Sequence, residues 1–379
     1  MSNVPRLRFK EFSYDFDNEV LADLLQITSK KFDPTKNQEV KKCIELEHLS
    51  QETGCLLGYT DSNEQDSIKN SFEIGQVLFG KLRPYLKKYW QADFDGVCSS
   101  EIWVLNGIQL VNSYLYHLVQ TSKFNQIANV SSGSKMPRSD WQYMSQVPFN
   151  YPSKQEQEKI AAFLSAVDNK IELLGKKQEL LKEYKKGLMQ KIFTQEIRFE
   201  ADDGSEFPDW EEKKLSTQTT IQKGSQLNKD TLTEEGNYPA LNGGINPSGF
   251  TTDWNTEANT ITISEGGNSC GYVNFVRTRF WSGGHNYSLQ DLKKTIQVKY
   301  LYQYLKFNEL QIMRLRVGSG LPNIQKGEIS NFKVSVPCLE EQTKIANFLS
   351  SIDNKIEQVG EQLDKSKEFK KALLQQMFV

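Results

Sequence analysis

Gln155-Glu-Gln-Glu-Lys-Ile-Ala-Ala-Phe-Leu-Ser-Ala-Val-Asp-Asn-Lys-Ile-Glu172 returns 185 residues later as Glu340-Glu-Gln-Thr-Lys-Ile-Ala-Asn-Phe-Leu-Ser-Ser-Ile-Asp-Asn-Lys-Ile-Glu357. The match runs without a gap from Pro152/Pro337 to Phe193/Phe378, with 22 identities in 42 positions. A repeat of this quality organises the whole 379-residue chain. Apolar residues fall at Ile160, Leu164, Val167, Ile171, Leu174, Leu181, Leu188 and Ile192, interrupted by Gln178 and Lys185. The second copy places Ile345, Leu349, Ile352, Ile356, Val359, Leu363, Leu373 and Met377 on the same steps of four and three, interrupted by Ser366 and Lys370. That 3.5-residue period is a coiled-coil seam. Ser153-Lys-Gln-Glu156 reads as a capping box, and each helix of 42 residues spans about 63 Å at 1.5 Å per residue. Two matched seams in one chain pair most simply with each other. Because each helix leads away from its own domain, an antiparallel, pseudo-twofold coiled coil is expected, with Ile160, Leu164, Val167, Ile171, Ile345, Leu349, Ile352 and Ile356 in the pairing or docking face.

Upstream of the tails the likeness fades. Gly133-Ser-Lys-Met-Pro137 precedes Gly318-Ser-Gly-Leu-Pro322 by 185, Tyr114-Leu-Tyr116 precedes Tyr300-Leu-Tyr302 by 186, and Leu7-Arg-Phe9 resembles Ile197-Arg-Phe199. Asp23–Ser100 and Ser216–Gly283 show no alignable pattern. The expected class is α/β (α+β), with domains at 1–151 and 196–336 alternating with long helices at 152–195 and 337–379. Strands are predicted at Gln76–Lys81, Val97–Leu105, Thr260–Ser264 and Gly271–Val276, with short helices near Val111–Thr121 and Lys299–Leu310.

Five cysteines, an odd number without a Cys-x-x-Cys spacing, argue against a disulfide framework or zinc ribbon, and the three histidines are scattered. No metal site is expected. No Walker loop, dinucleotide fingerprint, amino-methyltransferase Asn/Asp-Pro-Pro-aromatic motif or nuclease-like carboxylate cluster occurs, so no catalytic residue and no cofactor is assigned to this chain. No run of 18 apolar residues exists and the opening residues are polar and basic, which reads as a soluble cytoplasmic protein with no membrane partner.

Net charge is −2, yet its distribution is uneven. Residues 196–212 carry eight acids against Arg198 alone, while 213–336 carry 14 Lys or Arg against nine acids. A patch rather than the whole protein is suited to phosphate. Lys81-Leu-Arg-Pro-Tyr-Leu-Lys-Lys-Tyr-Trp90 packs bases and aromatics together: arginine reads guanine bidentately, lysine holds phosphate, aromatic rings pack on sugars or bases. The candidate DNA contacts are Lys81, Arg83, Tyr85, Lys87, Lys88, Lys135 and Arg138 in the first repeat. In the second they are Lys223, Asn268, Arg277, Arg279, His285, Arg314, Arg316, Ser319 and Asn323. The Gly318-Ser-Gly-Leu-Pro-Asn323 turn offers backbone N–H groups without bulk.

The repeated Gln-Glx-Lys-Ile-Ala-x-Phe-Leu-Ser-x-hydrophobic-Asp-Asn-Lys-Ile tails, Gly-Ser-Gly-Leu-Pro-Asn and Val77-Leu-Phe-Gly-Lys-Leu-Arg-Pro84 together resemble the specificity subunits of type I restriction-modification enzymes. The resemblance covers essentially the whole chain. It implies two target-recognition domains on an antiparallel helical spacer, reading a split, asymmetric site in double-stranded DNA. It also implies docking of two modification subunits, which methylate adenine with S-adenosylmethionine, and of motor-nuclease restriction subunits that use ATP and magnesium. None of that chemistry would reside in this chain. A stand-alone bipartite DNA-binding regulator without methylase partners is the alternative reading.

Overall fold

The computed structural model describes residues 4–130, 136–318 and 320–378. The chain divides into two compact units, Met1–Gly175 with Glu361–Val379, and Lys176–Gly360. Each long helix therefore contributes one part to each unit.

In the first unit, strands Leu25–Thr28, Ile102–Gly107, Val77–Gly80 and Tyr89–Gln91 lie side by side in that order, all antiparallel. In the second unit, Thr220–Lys223, Asn286–Gln290, Thr260–Ser264 and Val273–Val276 repeat the order. Even the register repeats: Gly80 faces Ile102 as Ser264 faces Asn286, and Val77 faces Leu105 as Ile261 faces Leu289. The stretches with no alignable sequence thus share one central sheet. A sheet needs only side chains of the right polarity on alternate positions, and many sequences supply that. A flanking ribbon also recurs, Asp17–Val20 with Pro148–Tyr151 and Glu211–Lys214 with Lys333–Val336.

The units differ in what covers the far face of the central sheet. In the first, Val77, Phe79, Trp103 and Leu105 face a core built with the helices, while Leu78, Ile102 and Val104 face a second core with Ile44, Phe72, Trp90 and Cys98. A five-stranded sheet formed from residues 31–98 supplies that second layer. The predicted strand Val97–Leu105 is consequently two strands. Gly96–Cys98 belongs to this extra sheet and Ile102–Gly107 to the central one, with a turn at Ser99 between them, where Ile102 N–H donates to the Ser99 carbonyl at 3.0 Å. In the second unit the strand Thr260–Ser264 sends Ile261 and Ile263 into the apolar core, whereas its Thr260, Thr262 and Ser264 are buried polar residues. A smaller three-stranded sheet accompanies it there.

The long helices run Lys154–Phe193 and Leu339–Met377. In the first unit Ile160, Ala161 and Leu164 share a core with Leu373 and Met377; in the second, Met189 and Ile192 share one with Ile345, Ala346 and Leu349. The start of each helix thus packs beside the end of the other, an antiparallel pairing. The ends of the seam are therefore domain core rather than exposed rod, whereas Val167, Ile171 and Ile356 between them are half-buried. Of the polar interruptions, the two lysines are paired reciprocally. Lys370 Nζ lies 2.6 Å from an Asp168 carboxylate oxygen, and Lys185 Nζ 2.7 Å from Asp353. The offset of 185 carries Asp168 onto Asp353 and Lys185 onto Lys370, so one interaction is made twice.

Each helix start carries a buried clasp, which in the first helix takes the place of the expected capping box. Both oxygens of Glu156 accept from Arg8 at 2.7 and 2.8 Å, so this carboxylate is not reaching back to Ser153. Glu341 does the same with Arg198 at 2.9 and 3.2 Å and also accepts from Trp210 Nε1 at 2.9 Å. The next residue is a buried glutamine in both copies. Gln157 donates to the Pro152 and Gln109 carbonyls and accepts from Val111 N–H; Gln342 donates to Pro337 and Thr295 and accepts from Gln297 N–H. These bonds weld each helix to the loop before the adjacent short helix. Glu341 is fully buried. Arg198→Ala leaves that carboxylate without its cation and is expected to cost about 3 kcal/mol in urea unfolding of the full chain, against a near-neutral effect at the exposed Arg279.

In the first unit the helix joint also holds a buried histidine. His117 is fully buried, its Nε2 3.2 Å from Ser165 Oγ. Burial, aided by the nearby Lys370, lowers its pKa to about 3. Below pH ~6.5 the unfolded chain takes up a proton that the folded chain refuses, so stability present above that pH is lost as pH falls toward 3. At pH 5 the loss is about 2 kcal/mol. The equivalent position in the second unit is Gln303. His117→Gln is therefore expected to lose about 2 kcal/mol less than wild type between pH 7 and pH 5 in urea melts. An identical acid loss in both proteins would assign the effect to another group.

Candidate nucleic-acid interface

In the first unit the loop 81–88 joins the hairpin strands Val77–Gly80 and Tyr89–Gln91. It turns over one 3-10 helix, Pro84–Leu86, flanked by Arg83 at φ 53° and Lys87 at φ 47°. Left-handed backbone at a residue with a Cβ costs on the order of 1 kcal/mol and persists only where its surroundings hold it. Here they do: Arg83 N–H donates to the Pro137 carbonyl at 2.8 Å, and Ser139 N–H to the Lys81 carbonyl at 2.9 Å.

The second unit builds the same clamp. Gly267 N–H donates to Pro322 at 3.0 Å and Ile324 N–H to Glu265 at 2.8 Å. Gly267 has φ 77°, matching Arg83. The hairpin loop and the chain at Pro137–Ser139, or Pro322–Ile324 in the second unit, separate in sequence, thus lie edge to edge in both repeats. On this shared backbone the side chains differ: Lys81 stands where the second unit has Glu265, Arg83 where it has Gly267, Glu101 where it has His285, Arg138 where it has Asn323.

All described candidates of the first repeat gather at this end of the sheet. Arg138 makes a bidentate pair with Glu101, 3.0 Å on each arm, which holds the Glu101 carboxyl below its usual range. Lys87 pairs with Glu52 at 2.6 Å, and Lys88 donates to the Leu46 carbonyl at 2.5 Å, where burial lowers its pKa. Arg83 and Tyr85 are exposed. Lys135 lies outside the described residues.

In the second repeat Lys223, Asn268, His285 and Asn323 meet at the corresponding end. Lys223 Nζ is 2.6 Å from Glu265, which also accepts from Tyr287 OH at 3.0 Å, and His285 Nδ1 lies 4.0 Å away. Arg314 and Arg316 are exposed nearby, with Met313 packed so close that any Cβ at Gly271 would sit 2.7 Å from its Cα. Ser319 lies outside the described residues. Arg277 and Arg279 stand apart. They follow Val276, whose partner Thr260 is the opposite end of the strand from Ser264. Arg277 pairs with Glu357 of the second long helix at 3.1 Å; Arg279 pairs with Glu257 at 3.0 Å and lies 4.3 Å from the Trp254 ring centre. The acids Glu52, Glu101 and Glu265 were not singled out in the sequence, because nothing local marks a carboxylate as the partner of a distant base.

Residues 16–183 and 208–365 match the family described as type I restriction modification DNA specificity domain. The chain belongs to this family. Of its relatives, a type I specificity subunit of Mycoplasma pneumoniae is 32% identical over 171 residues, and the chain spans 45% of that protein's length. A type I restriction enzyme specificity subunit of Methanocaldococcus jannaschii is 25% identical over an alignment covering 96% of this chain and 94% of that one. The solved S subunit of a type I restriction-modification system from M. genitalium superposes with TM-score 0.71 at 20% identity, over 99% of both chains, which establishes the shared fold. Among the described residues no helix is long and apolar enough to cross a membrane.

The pairing of Arg138 predicts a measurable salt effect. Glu101→Gln removes a negative charge from this face and frees a guanidinium. Affinity for an arbitrary duplex is expected to rise, and its log–log dependence on KCl to steepen by about 0.9, one phosphate's worth. An unchanged slope would place Arg138 away from DNA.

Proposed function

We propose that this chain is the DNA-reading subunit of a type I restriction-modification complex. Residues 1–151 and 196–336 act as two target-recognition domains, and helices 152–195 and 337–379 as the spacer between them. Each domain reads one half of a split, asymmetric site. Two modification subunits, using S-adenosylmethionine, methylate adenine, and restriction subunits using ATP and magnesium translocate and cut. This chain contributes recognition and docking, not catalysis, and works in the cytoplasm.

The observation carrying this reading is the clamped loop that recurs on one backbone with unlike side chains. Identical scaffolding presenting Lys81, Arg83 and Arg138 in one unit and Glu265, Gly267 and Asn323 in the other suits two different half-sites. The two helices, identical at 22 of 42 positions, supply the complementary property, two similar docking faces, so one kind of partner binds twice in one mode.

The spacer role has a quantitative test. Seven residues inserted between Gly175 and Lys182, and seven between Gly360 and Lys367, preserve the four-three register and add about 10.5 Å, or roughly three base pairs at 3.4 Å. Mapping methylated adenines in a host carrying the lengthened chain is expected to return both half-sites unchanged with a gap about three pairs longer. An unchanged gap with methylation intact would mean that something other than these helices measures it.

A further inference from the structure

We infer that Arg83 is the base-reading residue of the first half-site, taking a guanine through both arms of its guanidinium. The inference rests on the DNA-reading role proposed above and adds to it one residue and one base.

The backbone carries the argument. Arg83 sits at φ 53° where the second repeat, with the same two clamp bonds, has Gly267 at φ 77°. Glycine is the residue this conformation favours, so a branched-off side chain here is held against a local preference. The position is also fixed on every side. Its N–H is taken by Pro137, its carbonyl accepts from Leu86 N–H at 2.9 Å, and Pro84 locks the following residue. Of the cations around it, Lys87 is engaged by Glu52, Lys88 by the Leu46 carbonyl and Arg138 by Glu101, while Lys81 is half-buried and lends its charge to Glu101. Among the described residues Arg83 has no ion pair, and it is exposed.

A phosphate contact needs none of this, since a long flexible cation reaches phosphate from many backbone positions. A base edge does, because both N–H arms must meet the guanine O6 and N7 in one plane. Strain kept for an exposed, uncommitted guanidinium is what oriented reading requires.

The test uses the full chain assembled with its modification subunits and a pool of random-sequence duplexes from which bound members are selected and sequenced. Wild type is expected to return a split motif. Arg83→Gly places the second repeat's residue at this position, so its melting temperature should hold or rise. Its motif should be identical except for one G·C pair in one half, where discrimination falls on the order of 10- to 100-fold. Arg83→Lys keeps the charge and loses the fork, and should lose the same pair. Retention of that pair by either variant overturns the assignment, as does a uniform loss of affinity on all sequences, which marks a phosphate contact. A markedly lowered melting temperature for Arg83→Gly makes the side chain a packing element and overturns it as well. A wild-type pool without a split motif overturns the DNA-reading role itself.

Discussion

The register between the two long helices rests on an ion pair made twice. Asp168 with Lys370 and Lys185 with Asp353 put charge into a seam otherwise interrupted by the uncharged Gln178 and Ser366, and a sliding of one helix along the other breaks both at once. Each pair is mostly shielded from water, so an unpartnered member would be costly, and that cost discriminates between registers more than it adds net stability. Because the helices share Asp168/Asp353 and Lys185/Lys370 at one offset, this contact is available in both places. Antiparallel pairing of the repeated Asp and Lys therefore makes a sliding that separates them break two ion pairs rather than one.

Outward from that seam, each helix is joined to its own recognition fold by polar groups that are themselves buried. The Glu156–Arg8 and Glu341–Arg198 pairs, and the glutamines that follow, tie the first turn of the helix to a ribbon and a loop of the domain. Such groups are poor glue but good locators. An apolar contact tolerates sliding, whereas a glutamine with its oxygen and both amide hydrogens committed tolerates very little. The result is a stiff path from the helix to the sheet, and from the sheet to the clamped loop.

The helices, their boundaries within a few residues, and the antiparallel arrangement were legible in the sequence, because a long period-3.5 pattern repeated at a fixed offset has few physical solutions. Lys185 and Lys370 were visible only as interruptions, since their partners depend on register, which no single helix encodes. The sheets were legible in part. Thr260–Ser264 alternates cleanly and matched its strand, but Val97–Leu105 looked continuous because both halves are apolar, although Cys98 and Ile102 feed the same core from two different sheets. The clamp was invisible. Its bonds are backbone to backbone, and Lys-Leu-Arg-Pro has nothing in common with Glu-Gly-Gly-Asn except the path the chain takes. Arg277 and Arg279 were grouped with the other bases by composition, and only the direction of the hairpin separates them.

The first unit closes its core with Leu373 and Met377, stacks Phe378 against Tyr114 at 4.9 Å between ring centres, and bonds Leu7 N–H to the Gln376 carbonyl. On the ribosome, residues 1–175 emerge long before these partners exist. At about 5–20 residues per second, the 185 residues between Lys176 and Gly360 take roughly 10 to 40 s to synthesise. Throughout that interval the nascent first unit carries an open apolar groove along its helix, while the second unit is a contiguous segment, free to form as soon as it is extruded. The unit that is made first is thus the one that finishes last, its core closing only when Leu373 and Met377 arrive.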